Sequence, residues 1–191
     1  VDLLNPRDSG LAHALRILKD VEGVGVQQFK SEDVVRHAMV ERIVEIDSEG
    51  WTEALPEAAA VAERAAVAVL GTIEGDVVVL LADDAAVQDL NQRFRDKDRP
   101  TNVLSFPAAE SAFPHLGDVV LGYAYCAAEA ETQGKTLSDH LSHLVVHGVL
   151  HLLGRDHEDD AEAEEMEAEE REILAELGVA DPYAVEHEGA A

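Results

Sequence analysis

Cysteine, aromatic side chains and cations are the scarce components of this chain. Its 191 residues include one cysteine, Cys126, so no internal disulfide can form, and this usage fits a reducing cytoplasm. Cys126 falls in an Ala-rich stretch of helical character and reads as a packing residue. Aromatic residues make up 4% of the chain, which leaves few rings for stacking nucleobases. Lys and Arg number 14 against 40 Asp and Glu, a formal net charge of -26. Such a charge favours solubility and repels nucleic acid on average, so a polyanion site would rest on a local reversal of sign. No apolar run reaches the length of a membrane span, and no positively charged, apolar leader opens the chain. The expectation is a cytoplasmic protein with no membrane partner, long enough for one well-packed domain and some extra chain.

Histidine, by contrast, is concentrated. Residues 143–157 read His-Leu-Val-Val-His-Gly-Val-Leu-His-Leu-Leu-Gly-Arg-Asp-His. Residues 137–153 carry Leu and Val at helical spacing, so His147 and His151 stand one turn apart on one helix face. Gly154 sits where a helix ends in a left-handed residue, and the turn it permits can bring His157 back toward the same point. Three neutral imidazoles suit one zinc ion and leave a fourth position open, the arrangement of a catalytic site. Zinc lowers the pKa of a bound water to about 7 and polarises carbonyl or phosphoryl oxygens. His143 and His140 read as packing residues, His143 alternatively as a support for the ligands. Asp156 reads as an exposed turn carboxylate or as a group orienting a ligand imidazole. The same His spacing occurs in metzincin metalloproteases, which carry Glu directly after the first His. Here that position is Gly148, so peptide hydrolysis lacks its base.

Along the chain, residues 9–19 read as an amphipathic helix, 24–29 as a strand and 31–46 as a second helix, with 43–46 equally able to open a strand. Residues 53–70 read as a helix with Pro56 in its first turn, 77–82 as a buried strand, and 84–94 as a helix capped by Asp84. Strands at 101–106 and 118–121, a helix around Glu129, the histidine helix and an acidic helix at 158–177 complete the pattern. Met166, Ile173, Leu174 and Leu177 give that last helix a docking stripe. Helices and strands mix without strict alternation. The expectation is an α+β fold with one small mixed sheet packed with helices, and a metal site on a helix and its following turn.

One dense cationic cluster interrupts the acidity: Arg93, Arg95, Lys97 and Arg99, at a helix end and the loop after it. Such residues can partner a helix dipole. Beside a hydrolytic metal site they read as a phosphate-binding edge, and the combination points to a phosphodiester. Phe94, Phe106 and Tyr123 are candidates for base stacking, although aromatics in apolar runs are commonly core.

Residues 91–107, Asn-Gln-Arg-Phe-Arg-Asp-Lys-Asp-Arg-Pro-Thr-Asn-Val-Leu-Ser-Phe-Pro, together with Leu-Gly-Asp-Val-Val at 116–120, the histidine motif and Asp-Pro-Tyr at 181–183, resemble the YbeY family over about residues 43–185. The resemblance implies a zinc-dependent, single-strand-specific endoribonuclease. It would mature ribosomal RNA, notably the 3′ end of the small-subunit RNA, and serve ribosome quality control. Its partners would be the rRNA precursor and the ribosome or ribosomal proteins, with no DNA. By similarity His147, His151 and His157 bind zinc and Arg95 is the functionally important arginine, while Arg93, Lys97 and Arg99, read from their charge, are the expected RNA contacts. Water or a ribose 2′-hydroxyl can be the attacking group, and the residues do not choose between them.

The first 42 residues stand apart from residues 43–191. Their Ser-Gly-Leu, Leu-Lys-Asp-Val-Glu-Gly and Asp-Val-Val-Arg-His runs resemble the C-terminal end of PhoH-type ATPases, without a phosphate-binding loop. The expectation is a remnant of an upstream reading frame, with Met39 as an alternative start, or a genuine extension. Two other functional readings stand beside the endoribonuclease: a ribosome-assembly factor with a mainly structural zinc, and a metallohydrolase of a non-RNA substrate.

Overall fold

The computed structural model describes residues 42–155 and 159–184. The run Asp-Val-Val-Val-Leu-Leu-Ala forms β2 (Asp76–Ala82), buried along nearly its whole length. β-Branched and aliphatic residues on both faces suit a strand covered on both sides. It belongs to a four-stranded sheet of order β1-β2-β4-β3, with β1 at Arg42–Ile46, β3 at Val103–Pro107 and β4 at His115–Gly122. β1 and β4 run parallel to β2, while β3 pairs antiparallel with β4, setting Leu104 opposite Val120 and Phe106 opposite Asp118. Helices α1 (Glu49–Ala54), α2 (Ala58–Leu70), α3 (Asp84–Arg95), α4 (Tyr123–Thr132), α5 (Leu137–Leu152) and α6 (Asp160–Glu176) surround it. One mixed sheet packed with helices is the α+β arrangement expected.

The alternation of strand side chains divides the core. Val77, Val79, Leu81, Val119 and Leu121 face α2 and α5, whose Ala62, Ala65, Leu141, Val145 and Val149 bury against them. Leu80, Ala82, Leu104 and Val120 face the other way, against Val87 and Leu90 of α3. Met166 and Leu174 dock α6 into the first of these layers, as its apolar stripe predicts. The histidine helix and the cationic helix therefore lie on opposite faces of the sheet. Among the described residues no helix is long and apolar enough to cross a membrane.

Several local readings change. Residues 53–70 are not one helix: α1 ends at Ala54, with Leu55 (φ -142, ψ 84) as its cap, and α2 starts at Ala58. Pro56 is the cause, since it lacks an N–H and disfavours the α conformation in the residue before it. Of the two roles open to residues 43–46, the strand is the one taken, since Arg42–Ile46 pairs in register with β2. Asp83, not Asp84, caps α3 by accepting from the Ala86 N–H at 2.8 Å. Asp84 instead accepts from the Tyr125 N–H at 3.1 Å, joining α3 to α4. The elements read within residues 1–41, and Met39, lie outside the described residues.

Candidate active site

The rotation of α5 turns Gly148 onto β4. A Cβ on Gly148 would stand 2.6 Å from Val119 Cγ1, so only glycine lets the helix lie this close to β4. Ser105 Oγ of β3 donates to the Gly148 carbonyl at 3.1 Å and pins the same point. Thr136 caps the helix by accepting from the Asp139 N–H. With Gly148 turned to the sheet, His143, His147 and His151 follow one another on successive turns, and the last two rings lie 4.6 Å apart.

Hydrogen bonding engages Nδ1 of each ring. His151 Nδ1 donates to the Arg155 carbonyl at 2.9 Å, and a carbonyl can only accept. His147 Nδ1 donates to Glu170 Oε1 at 2.7 Å. In the neutral imidazoles both Nε2 atoms then carry lone pairs, and those two atoms are 3.1 Å apart. Two nitrogen lone pairs at this spacing can share one electrophile. With zinc–nitrogen distances of about 2.0–2.1 Å, a tetrahedral angle separates two ligand nitrogens by about 3.3 Å, close to this spacing. His147 and His151 thus fit a zinc ion. Gly154 has φ +81, the left-handed turn expected after the helix. His157, the third expected ligand, and Asp156 lie outside the described residues. Among the described residues no group of three metal-binding side chains closes around one point.

Glu170 is the residue that the reading of the sequence missed. It is fully buried on α6 and also receives the Tyr183 hydroxyl, with His143 Nε2 at 3.4 Å. Burial pushes its carboxyl pKa up, but hydrogen bonds from His143, His147 and Tyr183 outweigh that and hold it at about 2. The signal was present in the acidic run: Glu170 falls between Met166 and Leu174, a carboxylate on the docking stripe. His143 is therefore a support at this carboxylate. His140 is a core residue whose Nε2 lies 2.8 Å from Glu129 Oε2, to which Asn102 Nδ2 also donates.

The cations divide too. Arg93 is paired with Asp89 at 2.9 Å, whereas Arg95, Lys97 and Arg99 are exposed and no carboxylate pairs with them among the described residues. Asp96 takes the left-handed cap of α3, and Asn91 Nδ2 donates to the Arg99 carbonyl at 2.8 Å, which shapes the loop. No contact joins Arg95 to the imidazoles among the described residues. The two groups instead approach the same end of β3. Phe94, 40% exposed, packs edge-on against Phe106 at 5.1 Å. A Cβ at Gly117 would meet both the Phe106 carbonyl and Leu152, the neighbour of His151. Tyr123 packs against buried Trp51 and belongs to the core.

Comparison with known proteins adds the family context. The profile described as Endoribonuclease YbeY matches residues 38–178, and the profile described as PhoH-like protein matches residues 1–47. An Endoribonuclease YbeY of Paramagnetospirillum magneticum is 53% identical over 157 residues, spanning 75% of this chain and 96% of that protein. One of Azorhizobium caulinodans is 52% identical over 154 residues, spanning the same shares. A solution structure from Thermotoga maritima shares 24% identity with a TM-score of 0.48, covering 78% of this chain and 100% of that one.

Proposed function

The chain belongs to the YbeY endoribonuclease family, and from that premise we propose that it cleaves single-stranded RNA at a one-zinc centre of His147, His151 and His157. Its role is maturation of the small-subunit rRNA 3′ end and ribosome quality control, in association with the ribosome. The observation that carries the metal reading is the 3.1 Å approach of two Nε2 atoms whose Nδ1 partners are both acceptors. The substrate reading is supported by charge: Arg95, Lys97 and Arg99 form an exposed cationic edge in a chain of net charge -26.

Zinc bound at these imidazoles supplies a Lewis acid for a phosphoryl oxygen and a water of lowered pKa. His147 and His151 serve it by presenting neutral Nε2 atoms, their Nδ1 hydrogens being committed elsewhere. Arg95 binds the scissile phosphate and stabilises the negative charge that grows on its oxygens. Arg93, Lys97 and Arg99 hold flanking phosphates, and the strand passes the end of β3. Peptide hydrolysis finds no support, because the contact between Gly148 and Val119 leaves no room for a basic side chain after His147.

The test is cleavage of a single-stranded RNA carrying the small-subunit 3′ precursor, with zinc-loaded protein and a folded His151→Ala variant prepared identically. Cleavage by the first alone supports the reading. Equal or absent cleavage turns it toward the ribosome-assembly alternative.

A further inference from the structure

Glu170 sits where helix docking alone would favour an aliphatic side chain. Met166, Ile173 and Leu174 line the same stripe of α6, and all pack into the main core. A carboxylate there carries a desolvation cost that a leucine would not, and it persists when its oxygens are fully engaged. Both are: Oε1 accepts from His147 Nδ1 at 2.7 Å, and Oε2 accepts from the Tyr183 hydroxyl beside His143. The two imidazoles of the pair are thus supported unequally. His151 leans on a neutral backbone carbonyl, His147 on an ionised carboxylate.

We propose that Glu170 is the positioning residue for His147, and that Tyr183, delivered by the turn after α6, holds Glu170 in place, so that this C-terminal turn helps to set the zinc affinity of the centre. The inference rests on the zinc reading above. A carboxylate on Nδ1–H fixes the ring rotation, selects the tautomer with a bare Nε2 and raises its basicity. The turn is itself anchored at several points. Tyr183 N–H donates to Asp181 Oδ1 at 2.9 Å, and Lys135 Nζ donates to the Pro182 carbonyl at 3.1 Å. The Arg171 guanidinium lies 5.0 Å from the Tyr183 ring centroid and 3.5 Å from Asp181. These contacts cross from α6 to the loop before α5, so the turn is part of the tertiary structure around the imidazoles.

The experiment measures zinc affinity of the full chain by competition with a chromogenic chelator, alongside the visible spectrum of the cobalt-loaded protein. Wild type is compared with Glu170→Gln, Tyr183→Phe and, as a control for loosened helix docking, Ile173→Ala. Glu170→Gln is expected to weaken zinc binding by about 10–100-fold and to alter the cobalt spectrum, Tyr183→Phe to weaken it by a smaller factor, and Ile173→Ala to leave both unchanged. Wild-type affinity in Glu170→Gln, or equal losses in Glu170→Gln and Ile173→Ala, overturns the proposal. If Glu170→Gln does not fold, Tyr183→Phe decides by the same criterion. Failure of wild type to bind zinc would instead sink the zinc reading itself, and this inference with it. Zinc binding without RNA cleavage would leave the positioning role standing and remove only the nuclease assignment.

Discussion

Gly148 lies so close to Val119 that a side chain would occupy space already filled: its Cβ would stand 2.6 Å from Val119 Cγ1 and 3.2 Å from Ser105 Oγ. The position where a metzincin peptidase carries its catalytic Glu is here a packing position. Gly148→Ala is therefore expected to destabilise the protein by about 1–3 kcal/mol, the usual range for overpacking, despite alanine's better helix propensity. Urea unfolding followed by Trp51 fluorescence measures this, since the chain's one tryptophan is buried and bonded to the Ala82 carbonyl. Unchanged stability would mean that α5 does not approach β4 this closely.

Arg95 separates chemistry from structure. It is exposed at the end of α3, so Arg95→Ala should alter stability by less than about 0.5 kcal/mol. Cleavage of single-stranded RNA should fall about 10²-fold, the scale for losing one group that stabilises developing charge. Activity at the wild-type level would remove Arg95 from the reaction.

Lys97 and Arg99 are expected to act through phosphates. Each Ala variant should weaken RNA binding evenly across sequences and lower the slope of log affinity against log salt by about 1. A salt titration of binding by wild type and both variants reads this directly, and identical slopes would sink the phosphate role.

His140 predicts a pH dependence. Burial holds its pKa below the ordinary 6.5 against the pull of Glu129, with His143 and Lys135 adding to the lowering, and its Nδ1 is buried without a partner. The folded state thus resists a proton that the unfolded chain accepts. The contribution to stability is fully present above about pH 6.5 and is lost as pH falls through the lowered folded value. His140→Gln keeps an N–H for Glu129 and should flatten the fall of stability with pH below about pH 6.5, relative to wild type. Parallel curves from urea unfolding would refute the assignment.

Cys126 is expected to be chemically silent. It is fully buried, its Sγ donates to the Asn102 carbonyl at 3.4 Å, and burial pushes the thiol pKa up. A thiol reagent should modify it only at the rate of unfolding, and rapid modification of folded protein would contradict the packing.

The amino-acid order by itself determined what depends on local periodicity and backbone chemistry. Imidazoles at 147 and 151 share a helix face because four residues make about one turn, and Gly154 turns left-handed because it lacks a Cβ. The unbroken apolar run at 77–82 foretold a strand covered on both faces, and the cations at 93–99 lie at a helix end and its loop. Pro56 breaks a helix that the alanine-rich composition of 53–70 predicts as continuous, because it lacks an N–H and restricts Leu55. Tertiary packing alone decided the partners. Glu170 meets His147 across 23 residues of chain, and Tyr183 meets Glu170, only because α6 docks on α5 and the turn after it folds back. His140 Nε2 reaches Glu129 through the contact of α4 with α5, and Gly148 is required by the closeness of β4. A side chain's periodicity is written in its neighbours along the chain. Its hydrogen-bond partner depends on which helices come to share a core.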